Sequence, residues 1–178
     1  MDLRNRKGFT LIEVIVVAGI IAILAGILVP LIFKEIDEAR ITRAAADIRS
    51  ISTGILILRK DAGQWPVSAT CRNATTMMVG HGTVPAVPAG WDNSATDQYD
   101  HALVEDTDAC WGTKWKGPYI AMVNADPWGN AYVTNAPAML AATGPIWIMS
   151  AGPNGTIETA PDATSIGAGI DDIGVRLR

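Results

Sequence analysis

Lys7-Gly8-Phe9-Thr10-Leu11-Ile12-Glu13, running into an unbroken apolar segment from Val14 to Phe33, is the stretch that decides how this chain is read. Upstream lies a short basic leader, Met1 to Lys7, carrying Arg4, Arg6 and Lys7. About 20 apolar helical residues span a bilayer core, and this segment supplies that length. Directly before it, inside what would otherwise be a plain membrane segment, sits one carboxylate, Glu13. An acidic side chain at the centre of a spanning helix costs roughly 2.5–3.5 kcal/mol, so its presence points to function and calls for a partner. Two simpler readings leave features unexplained. A secretory signal has an apolar region of about 7–15 residues and then a small-residue cleavage site. This segment is longer, and Ala25-Gly26-Ile27 matches such a site poorly. A plain single-pass anchor accounts for the length but for neither Glu13 nor Gly8.

Beyond Phe33 the helical pattern continues but changes character. Ile36, Ile41, Ala44 or Ala45, Ile48, Ile51, Ile55 and Leu58 recur at helical spacing, between Asp37, Glu38, Arg40, Arg43, Asp47 and Arg49. One helix is predicted from about Thr10 to about Lys60. Its first half, residues 9–33, is apolar all round, and its second, residues 34–63, is amphipathic, which suits a helix that leaves a membrane and carries a domain on one face. Pro30 removes a backbone hydrogen bond and is expected to kink or loosen the helix, although membrane helices tolerate such prolines. Asp61-Ala62-Gly63 ends it, with Gly63 as a left-handed cap and Pro66 shortly beyond.

Residues 64–178 read as a globular domain. Its first part, residues 66–114, sustains no period and is read as a long irregular region. His81 and His101 fall there, and with Cys71 and Cys110 they match no zinc spacing, so they are read as solvated histidines. Short strands are then predicted at Tyr119 to Val123, Ala131 to Thr134 and Ile146 to Met149, forming an antiparallel sheet that covers the helix. Asp126-Pro127 and Gly129-Asn130 supply the turn between the first two.

The N-terminal string resembles the processing signal of type IV pilins and type II secretion pseudopilins. The resemblance implies that a prepilin peptidase cuts between Gly8 and Phe9 and methylates the new N-terminus, which makes Glu13 the fifth residue of the mature chain. The residues agree with it: Gly8 offers no side chain to obstruct a peptidase, and the leader's cations hold it on the cytoplasmic side. The cut frees a cationic amine at Phe9, able to neutralise Glu13 of a neighbouring subunit in low dielectric. In the same family a proline at the position of Pro30 marks a segment that unwinds during assembly, so residues 26–30 are the candidate for that change.

A second resemblance narrows the first. Trp115-Lys116-Gly117-Pro118-Tyr119-Ile120 and Asp126-Pro127-Trp128-Gly129-Asn130-Ala131-Tyr132 are similar to a paired signature of the type II secretion major pseudopilin, and Gly63-Gln64-Trp65-Pro66 resembles its helix-ending step. These motifs leave residues 67–114 uncovered. The resemblance implies calcium in the C-terminal loop, which would draw on Ser150, Asn154, Asp171 and Asp172, since calcium prefers carboxylate and carbonyl oxygens. Two departures stand out. Asn154 occupies a position where the family more often has aspartate, and the connection from Thr156 to Ile170 is longer than usual. The alternative is an Asx-rich surface turn. With the domain outside the cytoplasmic membrane, an even cysteine count favours a Cys71–Cys110 disulfide, the alternative being two buried thiols.

The composition excludes other classes. Net charge is −4, and no Lys/Arg cluster follows Lys60, which leaves nucleic-acid binding unsupported. Nucleophile-elbow, phosphate-loop and H-E-x-x-H signatures are missing from the sequence, so no enzyme is expected. Trp115, Trp128 and Trp147 are read as packing residues, while Trp65, Trp91 and Trp111 flank the irregular region and leave surface recognition open. The sequence thus reads as an α+β, pilin-like subunit of a helical homo-oligomer, anchored in the inner membrane with its domain in the periplasm. Its implied partners are prepilin peptidase, minor pseudopilins, the inner-membrane assembly platform and the outer-membrane secretin. The competing readings are a surface type IV pilin for adhesion, motility or DNA uptake, and an uncut membrane-tethered periplasmic binding domain.

Overall fold

A computed structural model describes residues 8–178, so the leader cations Arg4, Arg6 and Lys7 lie outside the described residues. The chain divides into two compact units, one ending at Ala39 and the other comprising Arg40–Arg178. Helix α1 (Leu11–Ala62) contributes to both.

In the first unit, α1 starts at a reciprocal cap. Thr10 donates its backbone N–H and its hydroxyl to Glu13 Oε2, at 2.8 and 2.7 Å, and the Glu13 N–H returns to Thr10 Oγ1 at 3.4 Å. This is a capping box, with threonine at the N-cap and glutamate three residues on. The helix runs on through Pro30 without a break, and its apolar side chains from Leu11 to Phe33 are exposed. It is long and apolar enough to cross a membrane.

In the second unit the amphipathic part of α1 buries Ala44, Ile48, Ile51, Ile55 and Leu58 of the stripe read from the sequence, and Ala62 beyond it, whereas Ile36 and Ile41, expected on the same stripe, are exposed. Each fully buried Ile or Leu contributes about 1.5–3 kcal/mol. Gly63 terminates the helix at φ 77°, with its N–H donating to Arg59 O. Against this stripe stands a five-stranded sheet in the order β2-β1-β3-β4-β5, made of β1 (Met77–Val79), β2 (Thr96–Gln98), β3 (Val133–Asn135), β4 (Trp147–Ser150) and β5 (Ile173–Arg176). The β1–β3, β3–β4 and β4–β5 pairs are antiparallel and β1–β2 is parallel, so the sheet is mixed rather than antiparallel throughout.

Alternation along the strands builds two cores. Met78 and Ile148 join the α1 stripe with Tyr99, Leu103 and Tyr132, and Ile173 and Val175 pack against that cluster. Met77, Val79, Val133, Trp147 and Met149 form the other core with Trp91 and Ile157. Two short helices, α2 (Asp100–Leu103) and α3 (Pro137–Leu140), fill the connections.

Three strand expectations need correction. Residues 119–123 form no strand, the region read as irregular provides β1 and β2, and the C-terminus adds β5. The 119–123 segment is apolar because it lies along the helix: a Cβ at Gly54 would stand 2.8 Å from Ile120 Cγ2. Its polar groups find loop partners, Tyr119 N–H donating to Leu103 O and Val123 N–H to Asp100 Oδ1.

Candidate functional site

The geometry separates into the helix start, a cluster beside the disulfide and the C-terminal loop. At the helix start Gly8 and Phe9 are exposed and precede the cap. A chain cut between them would begin one residue before Thr10, whose donors already engage Glu13. That T-x-x-E cap was readable as a helix start and went unread, because Glu13 draws attention as a carboxylate in an apolar segment.

Cys71 and Cys110 are joined in a disulfide, with Cα atoms 5.7 Å apart. Next to it Arg72, at φ 52°, holds its side chain at 3% exposure. Its Nε lies 2.8 Å from Asp97 Oδ2 in an ion pair rather than a well-aligned hydrogen bond, and its Nη2 lies 3.0 Å from Asp108 Oδ2. Nη2 also donates to His101 O at 2.6 Å, and the guanidinium carbon stands 5.2 Å from the centre of the Trp111 ring. Asp106 receives the N–H groups of Cys110 and Trp111. No sequence signal singled out Arg72, because its charged partners are 25 or more positions away.

His81 and His101 are each half-exposed and held by a carboxylate: His81 Nε2 lies 2.8 Å from Asp100 Oδ2, and His101 Nδ1 lies 2.6 Å from Asp97 Oδ1. Among the described residues no group of three or more His, Cys, Asp or Glu side chains is arranged to hold a metal. The tryptophans left open as a recognition surface are not one, since Trp65, Trp91 and Trp111 are all buried. Arg59 stacks on Trp65 at 3.9 Å, and Trp91 Nε1–H donates to Thr159 O.

The paired signature has a structural centre in Asp126, which is buried. Its Oδ1 accepts from the N–H groups of Trp128 and Asn130, at 3.0 and 2.8 Å, and its Oδ2 accepts the Ser150 hydroxyl at 2.6 Å. One carboxylate therefore shapes the 126–130 turn and ties it to the end of β4. Tyr132, the last residue of the signature, donates its hydroxyl to Asp47 of α1 at 2.9 Å. Burial, reinforced by the Asp47 carboxylate, pushes the Tyr132 phenol far above its ordinary range.

The C-terminal loop divides the four residues expected to hold calcium. Ser150 is committed to Asp126. Asp171 accepts from Asn154, on Oδ2 from the backbone N–H at 3.1 Å and on Oδ1 from Nδ2 at 2.7 Å. Asp172 is buried, and its Oδ2 accepts the N–H groups of Glu158 and Thr159 at 2.9 and 2.7 Å. Asp172 Oδ1 and Thr159 Oγ1 are buried without a hydrogen-bond partner. Calcium takes about six to eight oxygens. The residues present do not converge into such a set.

Comparison with known proteins agrees with both sequence resemblances. Residues 3–29 match the prokaryotic N-terminal methylation motif, and residues 94–169 match type II secretion system (T2SS), protein G. The second match starts inside the segment that the short motifs had left uncovered. The type II secretion system core protein G of Pseudomonas aeruginosa is 28% identical over 87% of this chain and 89% of its own length. That of Escherichia coli is 28% identical over 92% of each. The toxin coregulated pilin of Vibrio cholerae is 31% identical, but over 43% of this chain and 34% of its own length. With the methylation motif at the start of the helix, a match to type II secretion protein G behind it and relatives of that name aligned along nearly the whole length, this chain is similar to the type II secretion protein G pseudopilins.

Proposed function

We propose that this chain is a structural subunit of a type II secretion pseudopilus. It is held in the inner membrane by the first half of α1, cut between Gly8 and Phe9 by a prepilin peptidase, and added to a periplasmic filament whose growth drives folded proteins across the outer membrane. Supporting this are an exposed apolar helix carrying a lone carboxylate in its first turn and a protein G domain that follows it. Apolar helices exchange lipid for one another as subunits join, and a neighbouring Phe9 amine offsets the burial cost of Glu13. A head-to-tail contact that does not close into a ring generates an open helical filament. The partners are further copies of the chain, minor pseudopilins, the inner-membrane platform and the secretin. The chain does mechanical work and catalyses nothing.

Likeness to the toxin coregulated pilin stops at under half of this chain, whereas the protein G relatives align along nearly all of it, which favours the pseudopilus over a surface pilus. The test is Glu13→Ala in cells that carry an assembly system. Membrane insertion and melting of the globular domain are expected unchanged, with the yield of sheared filaments falling roughly tenfold or more, given the burial cost of an unmatched charge pair. Normal filament yield would overturn the charge-pairing step. A membrane-tethered binding domain would show neither filaments nor any effect of the substitution.

A further inference from the structure

We infer that the C-terminal loop is closed by an amide of the protein itself, Asn154 clamped on Asp171, where the family resemblance implied a calcium ion. The inference concerns the folding of the second unit and stands independently of whether the chain enters a filament.

The orientation of the Asn154 side chain is decided by its other partner. Asn154 Oδ1 accepts the Thr156 N–H at 2.7 Å. A backbone N–H can only donate, so the amide oxygen must face Thr156 and the NH2 must face away from it. That NH2 meets Asp171 Oδ1 at 2.7 Å, while the Asn154 backbone N–H meets Oδ2 at 3.1 Å. Both carboxylate oxygens thus receive donors from one residue, and a cation placed on them would confront the positive ends of those N–H bonds. Hydrogen bonds to a charged acceptor are about twice as strong as neutral ones.

The rest of the loop is built around this clamp. Gly152 sits at φ 64°, and a Cβ there would collide with the backbone oxygen of Asp171, so the 152–155 turn reaches Asp171 only because it begins with glycine. Asp172, the next residue, is spent on the N–H groups of Glu158 and Thr159. Among the buried side-chain oxygens of the described residues, Asp172 Oδ1 and Thr159 Oγ1 are left without a partner, and two oxygens fall far short of a calcium shell of about six to eight.

Asparagine in place of aspartate is what makes the clamp work. Asn154→Asp would replace the Nδ2 donor by a second carboxylate facing Asp171, a like-charge contact that a bound cation relieves. The experiment is thermal unfolding of the full chain in detergent micelles, in millimolar calcium chloride and in excess EGTA. The unaltered chain is expected to melt within about 1 °C of the same temperature in both, because a ligand stabilises only what it binds. Asn154→Ala should melt a few degrees lower, equally in both. Asn154→Asp should melt several degrees lower in EGTA and recover in calcium. A calcium-induced rise of about 5 °C or more in the unaltered chain, the size expected for a site filled about a hundredfold above its Kd, would overturn the inference. So would an Asn154→Asp chain that folds normally in EGTA. Should that variant fail to fold in either condition, the unaltered chain and Asn154→Ala decide the matter.

Discussion

Replacing Arg72 by methionine tests the packing beside the disulfide most severely. The substitution keeps the length and apolar stem of the side chain and removes the guanidinium. Arg72 is 3% exposed and pairs with Asp97, itself 17% exposed, and with Asp108, which is 57% exposed. Removing one partner of a buried ion pair costs about 3–5 kcal/mol, because the other charge is left without compensation. Asp108 can return to water and its pair is worth little, so the loss arises mainly at Asp97, where only the 2.6 Å contact with His101 remains. That places the cost near the lower end, about 3 kcal/mol. A domain of this size loses roughly 3–4 °C of Tm per kcal/mol, so a fall of about 10 °C is expected in a thermal scan. The urea midpoint should drop with an unchanged slope. Adding Asp97→Asn to the Arg72→Met chain should restore part of the loss, with a coupling of about 1 kcal/mol or more in the double-mutant cycle. An Arg72→Met chain melting within about 3 °C of the parent would refute the reasoning, since the buried charge would then be compensated elsewhere.

Alkaline stability follows from the phenols. Burial pushes Tyr99 far up against a weaker opposing bond from Thr134, burial with Asp47 does the same to Tyr132, and burial also raises Tyr119. Unfolded tyrosine titrates near 10, so this stability is complete below about pH 10 and is lost as pH rises through the higher folded values. Tyrosinate absorbance should therefore appear together with unfolding; its appearance near pH 10 in a folded domain would contradict the assignment. Reducing the disulfide, which closes a sequence separation of 39, should cost about 4 kcal/mol in urea titrations. Asp126→Ala strands the Trp128 and Asn130 N–H groups and the Ser150 hydroxyl, and should cost about 2–4 kcal/mol by the same measurement. A loss under about 0.5 kcal/mol would mean that water satisfies all three groups.

The helix could be read almost to the residue because its signals are local: an apolar run, then a 3.6-residue period, then a glycine at the left-handed cap. Strands β3 and β4 were visible as apolar runs between turn formers. Strand β2 was not, because Thr96-Asp97-Gln98 lies at the sheet edge and carries no apolar alternation. Strand β1 is three buried residues, too short for any period, and β5 pairs only through a long return of the chain to β4. The false strand at 119–123 has the right composition for a sheet, but Tyr119 and Ile120 stand against Gly54 of the helix, Val123 packs on Gly80, and Met122 is exposed. At the sites, Gly8, Phe9 and Glu13 lie within six positions of one another and form one local pattern, with Pro30 further along the same helix. The Arg72 cluster and the Asn154–Asp171 clamp depend on contacts across long separations, which no pattern along the sequence displays.

The claim that this chain is an assembling pseudopilin is tested most directly by intact-mass and N-terminal analysis of the protein recovered from membranes of cells with an active prepilin peptidase. The account expects a chain that begins at methylated Phe9, with the uncut form accumulating when the peptidase is absent. A chain still beginning at Met1 in the presence of the active enzyme would contradict it, because Glu13 would then have no freed amine to meet.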